Sequence, residues 1–243
     1  ISVGPPFYQK LIVPFLIPFL LFMSLGPKLK WIKSKIENKN SLIITFIVSA
    51  MLTFFIVKNL TTDLLFYTVL VSAAFFLFFT TLKELFIKKF NKVSQTIAHF
   101  GFSLLILSIL FNNILSSEII TNIKIGEKYI YNKGEIFFKK IEEKKESNFS
   151  AIIAYFEIKD ESGKTVELKP EIRIYNQPAI ITSEADIKTT LLEDKFLAMN
   201  LVKGNEYFNI RYQVKVFMIW IWISVLLLSL GGIMSLFKKK YEE

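Results

Sequence analysis

The chain of 243 residues contains no cysteine. That excludes disulfides, thiolate metal sites, thiol redox chemistry and a c-type haem attachment motif on this chain. There is one histidine, His99, so a histidine-rich metal cluster is excluded as well. Arginine occurs twice, against 28 lysines. With the abundance of Ile, Phe and Asn, this bias reads as the mark of an AT-rich genome and carries little function. No phosphate-binding loop is present. Gly163-Lys164-Thr165 resembles the tail of one, but Ile158 stands where the leading glycine is required.

What is present is mostly apolar. Hydrophobic residues make up 52% of the chain, and the mean hydropathy is +0.44. Only 21% of residues are charged, yet the formal net charge is +9 and the pI about 9.4. A soluble basic chain would point to nucleic acid. Long apolar runs point to a membrane instead.

Five segments are long and apolar enough to cross a bilayer: Phe7–Leu25, Leu42–Val57, Leu64–Leu82, Val93–Leu115 and Val216–Phe237. Bilayer hydrocarbon cannot satisfy an open strand edge, so these are predicted to be helices. Lys28, Lys30, Lys33, Lys35, Lys39, Lys83, Lys88, Lys89, Lys92, Lys238, Lys239 and Lys240 then share one side of the membrane. The positive-inside rule makes that side cytoplasmic and places the N-terminus and residues 116–213 outside. Trp31 falls at the inner boundary, and Trp220 and Trp222 in the outer half of the last span, where aromatic belts form.

Residues 116–212 differ from the rest, with 15 basic and 16 acidic side chains. The excess positive charge therefore lies in the short loops and is a topology signal, so it needs no nucleic-acid partner. Strand-like runs recur at Glu118–Ile125, Gly134–Ile141, Phe149–Lys159, Thr165–Lys169 and Glu171–Tyr175. Asp160-Glu161-Ser162-Gly163-Lys164 between two of them is a hairpin turn signal. Lys139–Glu146 reads as a solvated hairpin or loop. The expected fold is a polytopic α-helical membrane protein with an inserted, small, extracytoplasmic β-rich domain. Its parts are four helices in residues 1–115, the β-rich domain in 116–213, and a last helix with a basic tail in 214–243. The first residue is Ile1, without a signal-peptide pattern, so a piece of a longer chain is expected.

His99 carries the most chemical information. It lies in Ala98-His99-Phe100-Gly101-Phe102, a few residues inside the fourth span. A histidine there is costly without a partner. Imidazole is also the usual axial ligand of haem iron, and Gly101 would leave room for a flat macrocycle. The alternative is a neutral histidine hydrogen-bonded to Ser94, Gln95 or a neighbouring helix. Pro14 and Pro18 should kink or break the first span. Gly231-Gly232 permits a close helix contact in the last. Arg173, kept in a lysine-rich chain, suits either recognition of a carboxylate on a partner or an ion pair with Glu171 or Glu184.

These segments, taken in order, resemble a known family. Ile1-Ser2-Val3-Gly4-Pro5-Pro6-Phe7-Tyr8 leads into a proline-containing span and Leu25-Gly26-Pro27. Ala98-His99-Phe100-Gly101 follows. Lys169-Pro170-Glu171-Ile172-Arg173-Ile174-Tyr175 and Thr182-Ser183-Glu184-Ala185-Asp186-Ile187 are the most specific stretches. Trp220, Trp222 and Gly231-Gly232 complete the order. The chain resembles the C-terminal part of CcmF, the haem lyase component of bacterial cytochrome c maturation. The resemblance implies a multi-pass protein of the bacterial inner membrane and a part of a holocytochrome c synthase. Such a synthase takes haem from the chaperone CcmE. It joins that haem to the CXXCH thiols of an apocytochrome c presented by CcmH and CcmI. The resemblance also implies a haem b held by His99 and by a second histidine outside this chain. The family's Trp-rich haem-handling motif and other histidines would lie upstream of Ile1, in the N-terminal part of CcmF. The competing expectation is a membrane-anchored, partner-binding module without a cofactor.

Overall fold

The computed structural model describes residues 5–29, 39–58, 60, 64–86, 93–202 and 206–237. Nine of the twelve lysines behind the predicted orientation (Lys30, Lys33, Lys35, Lys88, Lys89, Lys92, Lys238, Lys239 and Lys240) lie outside them, as does Trp31. The chain forms two compact units, residues 1–115 with 219–243, and residues 116–218.

Among the described residues the first unit contains five α-helices: α1 (Pro5–Leu25), α2 (Lys39–Val57), α3 (Leu64–Phe86), α4 (Val93–Leu115) and α5 (Met218–Leu236). They are 19 to 23 residues long. At about 1.5 Å per residue, each reaches across a hydrocarbon layer of about 30 Å. All five are apolar enough to do so. α1 continues through Pro14 and Pro18 without interruption, so the expected break does not occur. A single turn of 3₁₀-helix, Gly26–Lys28, ends it.

α3 packs against α1, α2 and α4, and is the most buried of the five. Val71, Ala74 and Leu77 on it are fully buried. Several hydroxyl side chains in these helices bond back to their own backbone, although Thr68 and Ser72 of α3 do not. Ser49 donates to the Thr45 carbonyl at 2.7 Å, Thr53 to Ser49 at 2.8 Å and Ser108 to Leu104 at 2.7 Å. That removes the cost of an unpaired hydroxyl in an apolar layer. It also gives α2 a stripe of small residues, with Ser49 and Thr53 buried.

The second unit is a β-sandwich, with ten strands among the described residues. One sheet has the order β1 (Ser117–Ile123), β10 (Phe208–Val216), β9 (Glu193–Leu201), β8 (Asp186–Thr189). The other runs β2 (Lys128–Tyr131), β3 (Gly134–Lys145), β4 (Phe149–Asp160), β6 (Glu171–Asn176), β7 (Ala179–Glu184), with β5 (Thr165–Leu168) also on β4. All pairings are antiparallel. β5 and β6 lie end to end along β4. Pro170 has no amide to donate, so the ladder breaks there, and its carbonyl still accepts the Ala154 amide at 3.0 Å.

Alternation in each strand fills the space between the sheets. Ile136, Phe138, Phe156, Ile158, Leu197, Met199 and Ile210 are fully buried in one cluster. Phe138 and Phe156 stack at 4.3 Å between centroids. Ala185 alone separates β7 from β8, so one extended stretch passes from one sheet to the other and closes that side. The first and last strands, β1 and β10, are neighbours, with Ser117 opposite Val214. That adjacency is what allows the sandwich to sit as an insert between two helices. β10 runs to Val216, so the unit ends at Met218 and not at 213 as expected.

Candidate functional site

His99 is the seventh residue of α4, and its side chain is half-buried. The register of α4 sets its surroundings. Ala98 and Gly101 face α5, Phe102 meets Phe19 of α1 with ring centroids 5.9 Å apart, and Phe100 meets Phe78 of α3 at 5.3 Å. At about 100° per residue, His99 projects between Phe102 and Phe100, toward α1 and α3. The Glu84 carboxylate on α3 acts electrostatically on it. Glu84 is itself paired with Lys28 at 2.8 Å, and Lys28 donates to the Ser24 carbonyl at 3.2 Å. Among the described residues the imidazole takes no hydrogen bond, from Ser94, Gln95 or another helix. An imidazole nitrogen is the donor chemistry an axial haem ligand requires.

Gly101 does not serve the expected purpose. Two residues of helix turn it about 160° away from His99. A Cβ built there would stand 2.9 Å from the Leu228 backbone nitrogen and 3.1 Å from the Ser224 carbonyl oxygen. Its missing side chain is taken up by the backbone of α5, so the space it leaves is not open to a macrocycle. Gly231 on α5 plays the same part against Ala98, whereas Gly232 meets nothing within 4 Å.

Arg173 and Glu184 lie on adjacent strands of the sandwich but are not joined. Arg173 faces Thr182 across the β6–β7 ladder, and Glu184 faces Glu171. The Arg173 Nε donates to Glu171 at 2.9 Å, and its guanidinium lies 5.0 Å from the centre of the Phe149 ring. Glu184 accepts the Thr182 hydroxyl at 2.8 Å. Of the two ion pairs expected for Arg173, the structure contains the one with Glu171.

The residue that sequence reasoning missed is Glu84. Its signal lies in the sequence, since it is the single acidic residue between Leu64 and Ser117. It escaped because the predicted third span stopped at Leu82, whereas α3 continues to Phe86 and carries Glu84 on its last turn.

Five helices able to span a membrane and a β-sandwich inserted before the last define a multi-pass membrane protein with one folded extramembrane domain. Residues 114–218 match the family described as CcmF C-terminal beta-sandwich. The whole chain aligns with the cytochrome c-type biogenesis protein CcmF of Escherichia coli K12, at 25% identity over 252 positions, covering 39% of that protein. It aligns likewise with CcmF of Haemophilus influenzae, at 23% identity and 40% of its length. The cytochrome c-type biogenesis protein ccl1 of Rhodobacter capsulatus is 24% identical, with 39% covered. A solved structure titled Cytochrome c Heme Lyase CcmF superposes with a TM-score of 0.74 at 18% identity. It covers 96% of this chain and 41% of that one. The chain matches the C-terminal part of CcmF, and it spans about two fifths of the length of the curated relatives.

Proposed function

We propose that this chain works in cytochrome c biogenesis as the C-terminal part of a haem lyase of the CcmF type. The observation that carries this is the alignment of the whole chain with CcmF relatives, with a histidine inside the apolar helix α4. In this reading His99 is one axial ligand of a haem b, and a histidine outside the chain is the other. A haem bound there supplies a redox-active iron. If haem binds, His99 would be the residue of this chain that holds its iron, with Phe100 and Phe102, packed on Phe78 and Phe19, as the apolar neighbours of the imidazole.

The covalent reaction needs little from this chain. Each thiol of the apocytochrome CXXCH adds across a vinyl double bond of the substrate haem. The sulfur takes one carbon, the other gains a hydrogen, and no atom is left over. A chain without cysteine cannot be labelled by its own reaction. In this reading CcmE delivers the haem, CcmH and CcmI present the apocytochrome, and the N-terminal part of CcmF supplies the haem-handling face. The sandwich lies in the periplasm of a bacterial inner-membrane protein, with Arg173 and Glu184 on the sheet face that meets a partner.

The test is His99→Ala in a complete CcmF containing this sequence, purified and examined by absorption spectroscopy. The expected result is loss of the b-type haem bands with the protein still inserted. An unchanged haem content would remove His99 as a ligand of that haem, and a complete protein that never acquires haem would favour the membrane-anchored, partner-binding module.

A further inference from the structure

The turn between β8 and β9 has the wrong composition for water. Thr190 and Glu193 close it. The Thr190 amide donates to the Glu193 carbonyl at 2.9 Å, its hydroxyl to the same carbonyl at 2.8 Å, and the Glu193 amide donates to the Thr190 hydroxyl at 3.1 Å. The two residues left at the tip are Leu191 and Leu192. Tight hairpin tips ordinarily carry Gly, Asn or Asp, which tolerate the backbone and suit solvent. Here both are leucines, 68% and 62% exposed.

Register places this tip. Glu193 lies opposite Val216, and Ser117 opposite Val214. The Phe217 amide donates to the Leu192 carbonyl at 2.7 Å, and the Val216 amide to the Ser116 hydroxyl at 3.2 Å. The tip thus shares the end of the sheet at which the chain leaves α4, after Leu115, and enters α5, at Met218. One turn into α5 stand Trp220 and Trp222, the residue type that marks the headgroup level of a membrane-spanning helix. The apolar tip therefore lies at the end of the sheet from which both connections to membrane-spanning helices leave.

We infer that Leu191 and Leu192 insert into the headgroup–acyl boundary of the bilayer and act as a third, non-covalent anchor for the sandwich. The partner is a lipid surface, recognised by apolar burial alone, since Thr190, Leu191 and Leu192 carry no charge. With α4 and α5 as the covalent tethers, a third contact fixes the tilt of the sandwich against the membrane, which two adjacent tethers leave free. This inference needs only that α4 and α5 span a membrane, and it stands apart from the haem reading.

Absence of cysteine makes the experiment direct. Leu191→Cys and Leu192→Cys each give a single thiol for a nitroxide label in the full chain, reconstituted in phosphatidylcholine–phosphatidylglycerol vesicles. Ile125→Cys is the control. It is an exposed apolar residue beyond the far end of β1, about 25 Å further along the strand at its usual rise. The expected result is relaxation by dissolved oxygen exceeding that by a water-soluble nickel chelate at 191 and 192, with the order reversed at 125. A tip equally open to both reagents, as at 125, would overturn the inference. So would a tip immobilised and shielded from both, which would mean a protein partner. Vesicles pelleted with and without protease cleavage of the tethers give a second readout. Cleaved wild-type sandwich should remain several-fold more membrane-associated than the same fragment with Leu191→Asp and Leu192→Asp. Equal release would also overturn it.

Discussion

Gly231 of α5 lies against Ala98 of α4 so closely that a Cβ on the glycine would stand 2.6 Å from the alanine amide nitrogen. Together with Gly101, it brings two helix backbones together at the position next to His99. Gly231→Ala is therefore expected to force the helices apart. Overpacking of this kind costs about 1–3 kcal/mol. Gly232→Ala, with nothing within 4 Å, should be neutral or slightly stabilising. Thermal unfolding of the two variants in detergent, side by side, checks this. Equal midpoints would show that the α4–α5 crossing is not close-packed there.

The turn at Asp160–Lys164 should respond to acid. Its carboxylate accepts the Ser162 hydroxyl at 2.6 Å and the Lys164 amide at 2.9 Å. The Ser162 bond, helped by the Lys164 amide, holds the Asp160 carboxyl below its ordinary value of 3.8. A depressed folded-state value means that the ionised form favours the folded turn. That contribution is present above 3.8 and is lost as pH falls through the lower, folded value. Exchange of the Lys164 amide should be slower in the wild type than in Asp160→Asn at neutral pH. The difference should close in strong acid. A difference that persists there would show the carboxylate charge to be irrelevant.

Most of the architecture was legible, because it follows from two periodicities. Apolar runs near 20 residues gave all five helices, and α4 matches its expected bounds at both ends. In the sandwich, β4, β5 and β6 fell where alternation was clean. β2, β7, β8, β9 and β10 went unseen for a physical reason: they have polar or short stretches on exposed edges, or mix charges into the pattern, as in Glu193-Asp194-Lys195. The basic run ending at Glu146 is a solvated arm of the β3–β4 hairpin. It stays in strand form because Lys140, Glu142 and Lys144 pair with β4 in register. At the candidate site, His99 was visible from its rarity. The surroundings of Gly101 were not legible, because residues two apart in sequence do not share a helix face.

Arg173 offers a separation of stability from recognition. Its ion pair with Glu171 is part-exposed, so it is worth up to about 1 kcal/mol. Its contact with the Phe149 ring adds about 0.5–1 kcal/mol at such a site. Arg173→Ala should leave the sandwich folded, with a midpoint lowered by a few degrees. If the β6–β7 face meets a partner, holocytochrome c yield should fall well beyond that small loss. Arg173→Lys, which keeps the charge but not the planar fork, should recover only part of it. Wild-type yield from Arg173→Ala would remove this residue from any partner contact.

Lys28 and Glu84 tie the end of α1 to the end of α3. Their side chains are 24% and 28% exposed, which places the pair near the top of the range for exposed salt bridges, at about 1 kcal/mol. A double-mutant cycle with Lys28→Met and Glu84→Gln should return a coupling of that size, because each single change leaves one charge without its partner. Zero coupling would mean that the pair is fully screened. Glu84 also has a second consequence if His99 holds haem iron. The carboxylate favours the more positive, oxidised iron, since opposite charges attract more strongly as the local dielectric falls. Glu84→Gln in a complete CcmF should therefore raise the midpoint potential of the haem while its absorption bands persist. A lowered potential would place the carboxylate elsewhere than beside the His99 ligand.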